Sequence, residues 1–326
     1  MVKRELVPLP LDLSSYGFGA PQRSGAMTVV PLFGRDANGR FAAPLSGLKL
    51  AAVKGYGHME LENHSRTATA IVPLHMGYVQ HGAQNHALCR SAFIGPGQKV
   101  MFKDACCVQQ AQGGYLKEKE QWFFILPLQV RAEALLARGV SGFGKLWPTI
   151  TKMNKAFGFM EAGHLEQLIS RQRGYLTQYQ SRFELLPGQT GAIFLVDGRL
   201  AGVEVAPSAA YFEEVWMPLV CFAYGGAAMY IETVARKPSA KRKPLAGASV
   251  AAIRRSLDEE RLALADDVRR ALLGVPQERF ALTEEERYLD LRLVTAEGSN
   301  FCGQVVLGET GLVYASIAAK PDFVGL

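Results

Sequence analysis

Cysteine is scarce and poorly spaced for a stapled fold. The five cysteines, Cys89, Cys106, Cys107, Cys221 and Cys302, include no CxxC pair. The odd count and the spacing exclude a disulfide framework and point to a reducing, cytoplasmic setting. Long hydrophobic runs are also missing. The longest, VWMPLVCFAYGGAAMYI, is 17 residues bracketed by Glu213, Glu214 and Glu232, and carries Pro218 and a glycine pair. A spanning helix needs ~20 apolar residues, so this stretch is expected to be a buried helix, with no membrane partner. The start, MVKRELVPLPLDLSSYGFG, has Pro8 and Pro10 where a leader would carry its apolar segment, so no secretory signal is expected. Charge of one sign is not concentrated: the net charge is +6 over 326 residues. That permits an anionic ligand, but nucleic acid is not an expected partner. No phosphate loop is present, because GQTG lacks both the length and the lysine, and GYGHME is not a dinucleotide turn. No carboxylate occurs from Ala68 to Lys103.

What is present is ordinary globular material, 48% hydrophobic and 20% charged. Residues 27–110 hold short apolar or alternating segments such as MTVVPLFG, LKLAAV, HMELEN and KVMFKDACCV, divided by Gly, Pro and Asn. That pattern predicts strands without intervening helices. Helical periodicity follows in 125–185, where Leu165, Leu168, Ile169, Leu176, Tyr179 and Phe183 share a face and Pro148 suits a first turn. GAIFLVDGRLAGVEV predicts a hairpin over 191–206, because Asp197-Gly198 tolerates the positive φ of a type I′ turn. A helical block over 208–273 is kinked at Pro218 and interrupted by the basic stretch 235–244, ARKPSAKRKP. Strands close the chain over 286–320, and TEEE at 283–286, although it fits a capping box, leads into the alternating YLDLRLV. The expected fold is α+β: an antiparallel sandwich or barrel-like core from N-terminal strands, the central hairpin and C-terminal strands, with helices packed against it. Residues 1–26 are expected to be an extension, and 27–326 one discontinuous domain.

The chemistry is densest in HGAQNHALCRSAFIGPGQ, residues 81–98. His81, His86 and Cys89, with His75 or Cys106, are ligand types for zinc, but they converge only if the chain turns at Gly82-Ala83. The simpler reading is loop histidines around a buried cysteine, so no metal is expected. Cys89 and Cys106 have histidines nearby for nucleophilic chemistry, yet free cysteines most often fill cores. Gln84, Asn85, His86 and Gln189 are candidate ligand-binding residues, since an amide both donates and accepts; equally, such amides satisfy buried loop carbonyls. His81, His86 and Asp104 are the candidates for acid–base work. The acid for a histidine base would have to come from Glu60, Glu62 or Asp104.

GAQNHA, IGPGQ and ACCVQQAQGGYL occur in the order in which the ARPP family, proteins associated with ADP-ribosylglycohydrolases and rhodanese-phosphatases, carries Gly-Ala-Lys-Gln-Asn-Arg, a Val-Pro-Ala-Gly turn and Ser-Cys-Val-Glu-Gln-Gly-Arg-Trp. MTVVPLFG resembles the start of that family, and LPGQTGAIFLVDGRLAGVEVAPSAAYFEEVWMPLV its second half. The chain departs from the pattern where the family is charged. HMGYVQ replaces an acidic run, Gln109 replaces the glutamate, and the basic flanks of Gln-Asn are absent. The resemblance implies a link to NAD-derived nucleotides or ADP-ribose and to bacterial conflict or defence. Three readings stay open: a non-catalytic or weakly catalytic binding protein acting through Gln84-Asn85-His86, a hydrolase of an ADP-ribose-type substrate with His81 or His86 as base, and a structural subunit of a larger assembly. A nucleotide-like small molecule and a protein partner or second copy are the expected partners, and no resident cofactor is expected.

Overall fold

The structure, a computed structural model, describes residues 6–37, 39–55, 57–79, 84–110, 122–235 and 249–326. Strands from both ends of the chain meet in one ten-stranded antiparallel sheet. Its order is Leu6–Val7, Phe280–Tyr288, Leu291–Glu297, Phe301–Gly308, Gly311–Ala319, Arg199–Val205, Gly191–Val196, Met27–Phe33 and Gly17–Phe18, with Gln22–Ser24 also on Met27–Phe33. The hairpin sits near the middle. Val196 pairs with Arg199 across a two-residue turn whose Asp197 and Gly198 have φ of 50° and 72°. Both angles lie where that residue pair is tolerated and bulky residues are not. Every residue of Gly191–Val196 is buried, so both faces of this strand are covered and its run is apolar throughout instead of alternating.

The apolar run is indeed a core helix. Ala209–Met217, Pro218–Ala223 and Gly225–Thr233 follow one another as a rod that is apolar and long enough to span a membrane, yet 83% of its most apolar window is buried in the protein. Pro218 has no N–H to give the preceding turn. The helix widens there, and the Tyr224 N–H reaches the Leu219 carbonyl five residues back at 2.9 Å. That wider turn lays the Tyr224 ring on Phe194 of the sheet, centroids 4.0 Å apart and planes 8° from parallel. The helix Leu128–Leu136 lies against Phe301–Gly308 and Gly311–Ala319. The long helix Val250–Leu273, capped by the Ser249 hydroxyl, is mostly exposed and is tied to the sheet by Asp267–Arg23 at 2.9 Å.

The structure sharpens the expected α+β architecture in its details. Among the described residues the main sheet does not close on itself, so it is an open sheet and not a barrel. Only Met27–Phe33 of the 27–110 region joins it as a long strand. The rest makes three small sheets, because Pro44, Pro73 and the Gly95-Pro96-Gly97 turn keep those strands too short to extend one ladder. The C-terminal ladder begins at Phe280, ahead of the expected 286, and TEEE lies inside its first strand, in keeping with the alternating YLDLRLV it leads into. Residues 6–24, expected as an extension, contribute three short strands to the main sheet. Most of the basic stretch 235–244 lies outside the described residues.

Candidate functional site

Of the stretch 81–98, His86–Ala87 enters a small sheet of order Cys106–Cys107, His86–Ala87, Met76–Val79 and Trp122–Ile125. His86 is paired with Tyr78 on one side and Cys107 on the other. Gly77 is required at the centre, since a Cβ there would meet the Phe124 ring at 2.4 Å. Asn85 enters this sheet fully tied. Its N–H donates to Gln109 Oε1 at 3.0 Å, and its carbonyl accepts from the Val108 N–H at 3.0 Å. Its side-chain amide donates to Glu166 Oε2 at 3.4 Å, while the other Glu166 oxygen accepts from the Ser170 hydroxyl at 3.1 Å. The turn carrying Glu166 is held in place by a bridge between Gln109 and His164 and by Leu165 N–H on the Val108 carbonyl. Asn85, His86, Gln109, His164 and Glu166 are all buried. The result is a desolvated cluster of amides, imidazoles and one carboxylate, whose polar contacts gain strength from the low dielectric.

His86 does not meet an acid there. Its Nδ1 donates to the Gln84 carbonyl at 2.9 Å, and its Nε2 accepts a long 3.5 Å bond from the Gly57 N–H. Burial pushes its pKa below the usual histidine range, so the ring is a neutral imidazole at physiological pH. His164 is pushed down as well, by burial and by the nearby charge of Arg171. Asp104 accepts from Arg90 at 3.3 Å and from the Gly139 N–H at 2.9 Å. Glu60 pairs with Lys54, and Glu62 with Lys99 and His64. The carboxylate that reaches the Asn85 side chain is thus Glu166. Gln189 is spent on its own turn, accepting from the Leu186 N–H at 3.1 Å and donating to the Gly191 carbonyl at 2.9 Å. His81 lies outside the described residues. Cys89 and Cys106 do come together, with sulfurs 3.1 Å apart. Among the described residues no three metal-ligating side chains converge.

A second polar cluster lies deeper, where no motif pointed. Arg131, wholly buried, donates to Glu204 Oε1 at 2.8 Å, to the Tyr224 hydroxyl at 3.1 Å, to the Ser316 hydroxyl at 2.5 Å and to His75 Nδ1 at 3.2 Å. Burial opposes the guanidinium charge, but Glu204, Tyr224 and Tyr314 together outweigh it and raise the Arg131 pKa. His75 is held at φ 64°, an uncommon conformation for a side chain of this size. Burial, and then the charge of Arg131, keep it well below the ordinary histidine range. The adjoining cavity, between Glu204, Tyr211, Tyr314 and Ser316, measures about 10 Å³. That is room for about one water and no substrate, so this cluster is a structural keystone. Two larger cavities, about 560 Å³ beside Leu9, Val203 and Phe280 and about 320 Å³ beside Gln129, Phe157 and Tyr230, are not lined by Gln84, Asn85 or His86.

Fold and site therefore define an α+β protein with a buried amide–carboxylate cluster at the edge of a small antiparallel sheet. A family model described as the ARG and Rhodanese-Phosphatase-superfamily-associated Protein domain, ARPP-1, matches residues 15–317, and the chain belongs to that family. No curated protein and no solved structure matches the chain.

Proposed function

We propose that the protein binds an NAD-derived nucleotide or ADP-ribose-type ligand through Gln84-Asn85-His86, Gln109 and Glu166, with little or no turnover. The observation that carries this reading is the bonding of His86. Both of its ring nitrogens are engaged by main-chain groups, and the one carboxylate nearby is bonded to Asn85. A general base needs a free nitrogen beside the reacting proton, so this arrangement favours recognition over proton transfer. A carboxylate suits a ribose diol and an amide suits a base edge, so binding requires Glu166 and Asn85 to exchange their mutual hydrogen bond for bonds to the ligand. Gln189, whose amide serves its own turn, joins the reading only as support for the neighbouring strand. The five free cysteines fit a reducing cytoplasm, and the family name fits work beside ADP-ribose chemistry, as in a conflict or defence system. A role as an assembly subunit is the second reading. It is favoured by Val250, Ile253 and Leu257, exposed along one stripe of the long helix.

Calorimetry with NAD and ADP-ribose, together with turnover assays, tests the first reading in wild type, Glu166→Gln, His86→Ala and Asp104→Asn. The expected result is saturable binding, weakened about tenfold or more by Glu166→Gln, as loss of a charged hydrogen bond implies. No turnover is expected in any variant. Wild-type turnover abolished by both Glu166→Gln and His86→Ala would instead establish a hydrolase.

A further inference from the structure

We propose that Cys89 and Cys106 form a redox-modification site, closing to a disulfide when the protein meets a hydroperoxide. The two sulfurs sit 3.1 Å apart with the rest of the pair buried, and a disulfide bond is about 2.05 Å. Closure therefore needs ~1 Å of approach between the two sulfurs. The pairing is set by the ladder, in which Ala87 lies opposite Cys106 and Cys89 follows two residues on.

The two thiols are unequal. The two sulfurs share an S–H, which lowers the Cys106 pKa and raises that of Cys89, and the Lys145 ammonium favours a thiolate at either sulfur. Lys145 is itself anchored on the carbonyls of Asp104, Ala137 and Val140. Cys106 is thus the nucleophile and Cys89 the resolving thiol. The other cysteines are poor competitors. Burial pushes the Cys221 thiol up to about 12 and that of Cys302 up to about 11, and it raises Cys107 as well.

In the first step the Cys106 thiolate attacks a peroxide oxygen. The O–O bond breaks, and the leaving alkoxide or hydroxide takes a proton to become alcohol or water. The sulfur, now a sulfenic acid, has lost two electrons to the peroxide. In the second step the Cys89 sulfur attacks the Cys106 sulfur, the S–O bond breaks, and hydroxide leaves with the Cys89 proton as water. The sum is two thiols plus one hydroperoxide giving one disulfide, one alcohol or water, and one water. The new bond would staple the strand that follows Asn85 to the strand that precedes Gln109, locking the frame on which those two residues meet.

The test uses the full-length, fully reduced protein titrated with hydrogen peroxide, followed by alkylation and peptide mass spectrometry. The expected product is a Cys89–Cys106 cross-linked peptide, with the intact protein lighter by ~2 Da and restored by a dithiol reductant. It should form at least about tenfold faster than any modification of Cys107, Cys221 or Cys302. In Cys89→Ala, a dimedone adduct should appear on Cys106; in Cys106→Ala, Cys89 should stay reduced. Wild type that oxidises first at another cysteine, or that gives no Cys89–Cys106 peptide while the others react, overturns the proposal whether or not the variants fold.

Discussion

Replacing Glu204 with glutamine tests whether the Arg131 cluster is the keystone its burial implies. Glutamine keeps the size of the side chain and an Oε1 that still accepts from Arg131, at 2.8 Å, and from Tyr224, at 2.6 Å. Packing is unchanged, so the substitution isolates the charge. What remains is a guanidinium of zero exposure whose acceptors, His75, Tyr224 and Ser316, are all neutral. Leaving one partner of a buried pair uncompensated costs about 3–5 kcal/mol. That is a large share of the ~5–15 kcal/mol by which native proteins exceed their unfolded states. Arg131→Met should cost a similar amount, since it strands Glu204. The double variant Arg131→Met/Glu204→Leu should cost much less than the sum, because two apolar side chains replace two desolvated charges. Urea unfolding of wild type, Arg131→Met, Glu204→Leu and the double variant, with the slope checked for constancy, closes the cycle, and Glu204→Gln is measured beside it as the charge-only change. Single variants that each cost under about 1 kcal/mol, or costs that simply add in the double, would refute this account.

Acid should destabilise the protein through its buried histidines. The pKa values of His75, His86 and His164 are all lowered in the folded state, so the unfolded chain binds protons there that the folded chain does not. Stability should be flat above the unfolded histidine pKa of ~6.5 and fall below it, at up to ~1.4 kcal/mol per pH unit for each histidine that stays neutral. His75→Asn, which tolerates the positive φ, should remove one proton's worth of that slope; an unchanged slope would count against His75. Limited trypsin cleavage within the basic stretch 236–244 should leave two pieces that co-purify, because Arg199–Val205 pairs with Gly311–Ala319 across the cut. Pieces that separate and remain folded would instead mean two independent units.

Elements whose information is local were legible in the sequence. The Asp197-Gly198 turn, the proline step at residue 218 and the amphipathic stretches each depend on a few neighbouring residues, and they appear where periodicity and turn chemistry place them. The candidate site was half legible. Gln84, Asn85 and His86 stood out as polar residues amid apolar strands. Glu166 did not, because it arrives from a helix 81 residues away and its own surroundings read as an ordinary amphipathic face. The Cys89–Cys106 pair was hidden for a related reason. Seventeen residues separate them, and only the register of two-residue strands brings the sulfurs together. Arg131 and Glu204 left one faint signal, a single carboxylate within the apolar strand Arg199–Val205.

The order of strands in the main sheet also sets a timetable for synthesis. Met27–Phe33 and the 191–205 hairpin can join once the hairpin has emerged. The free edge of Arg199–Val205 must then wait for Gly311–Ala319, more than a hundred residues later. At translation rates of ~5–20 residues per second that interval is on the order of ten seconds. For that time a long apolar edge has no partner of its own, which makes the nascent chain a natural client for a ribosome-associated chaperone and vulnerable to aggregation without one. Slow, late assembly follows from joining the two ends of a chain in a single ladder.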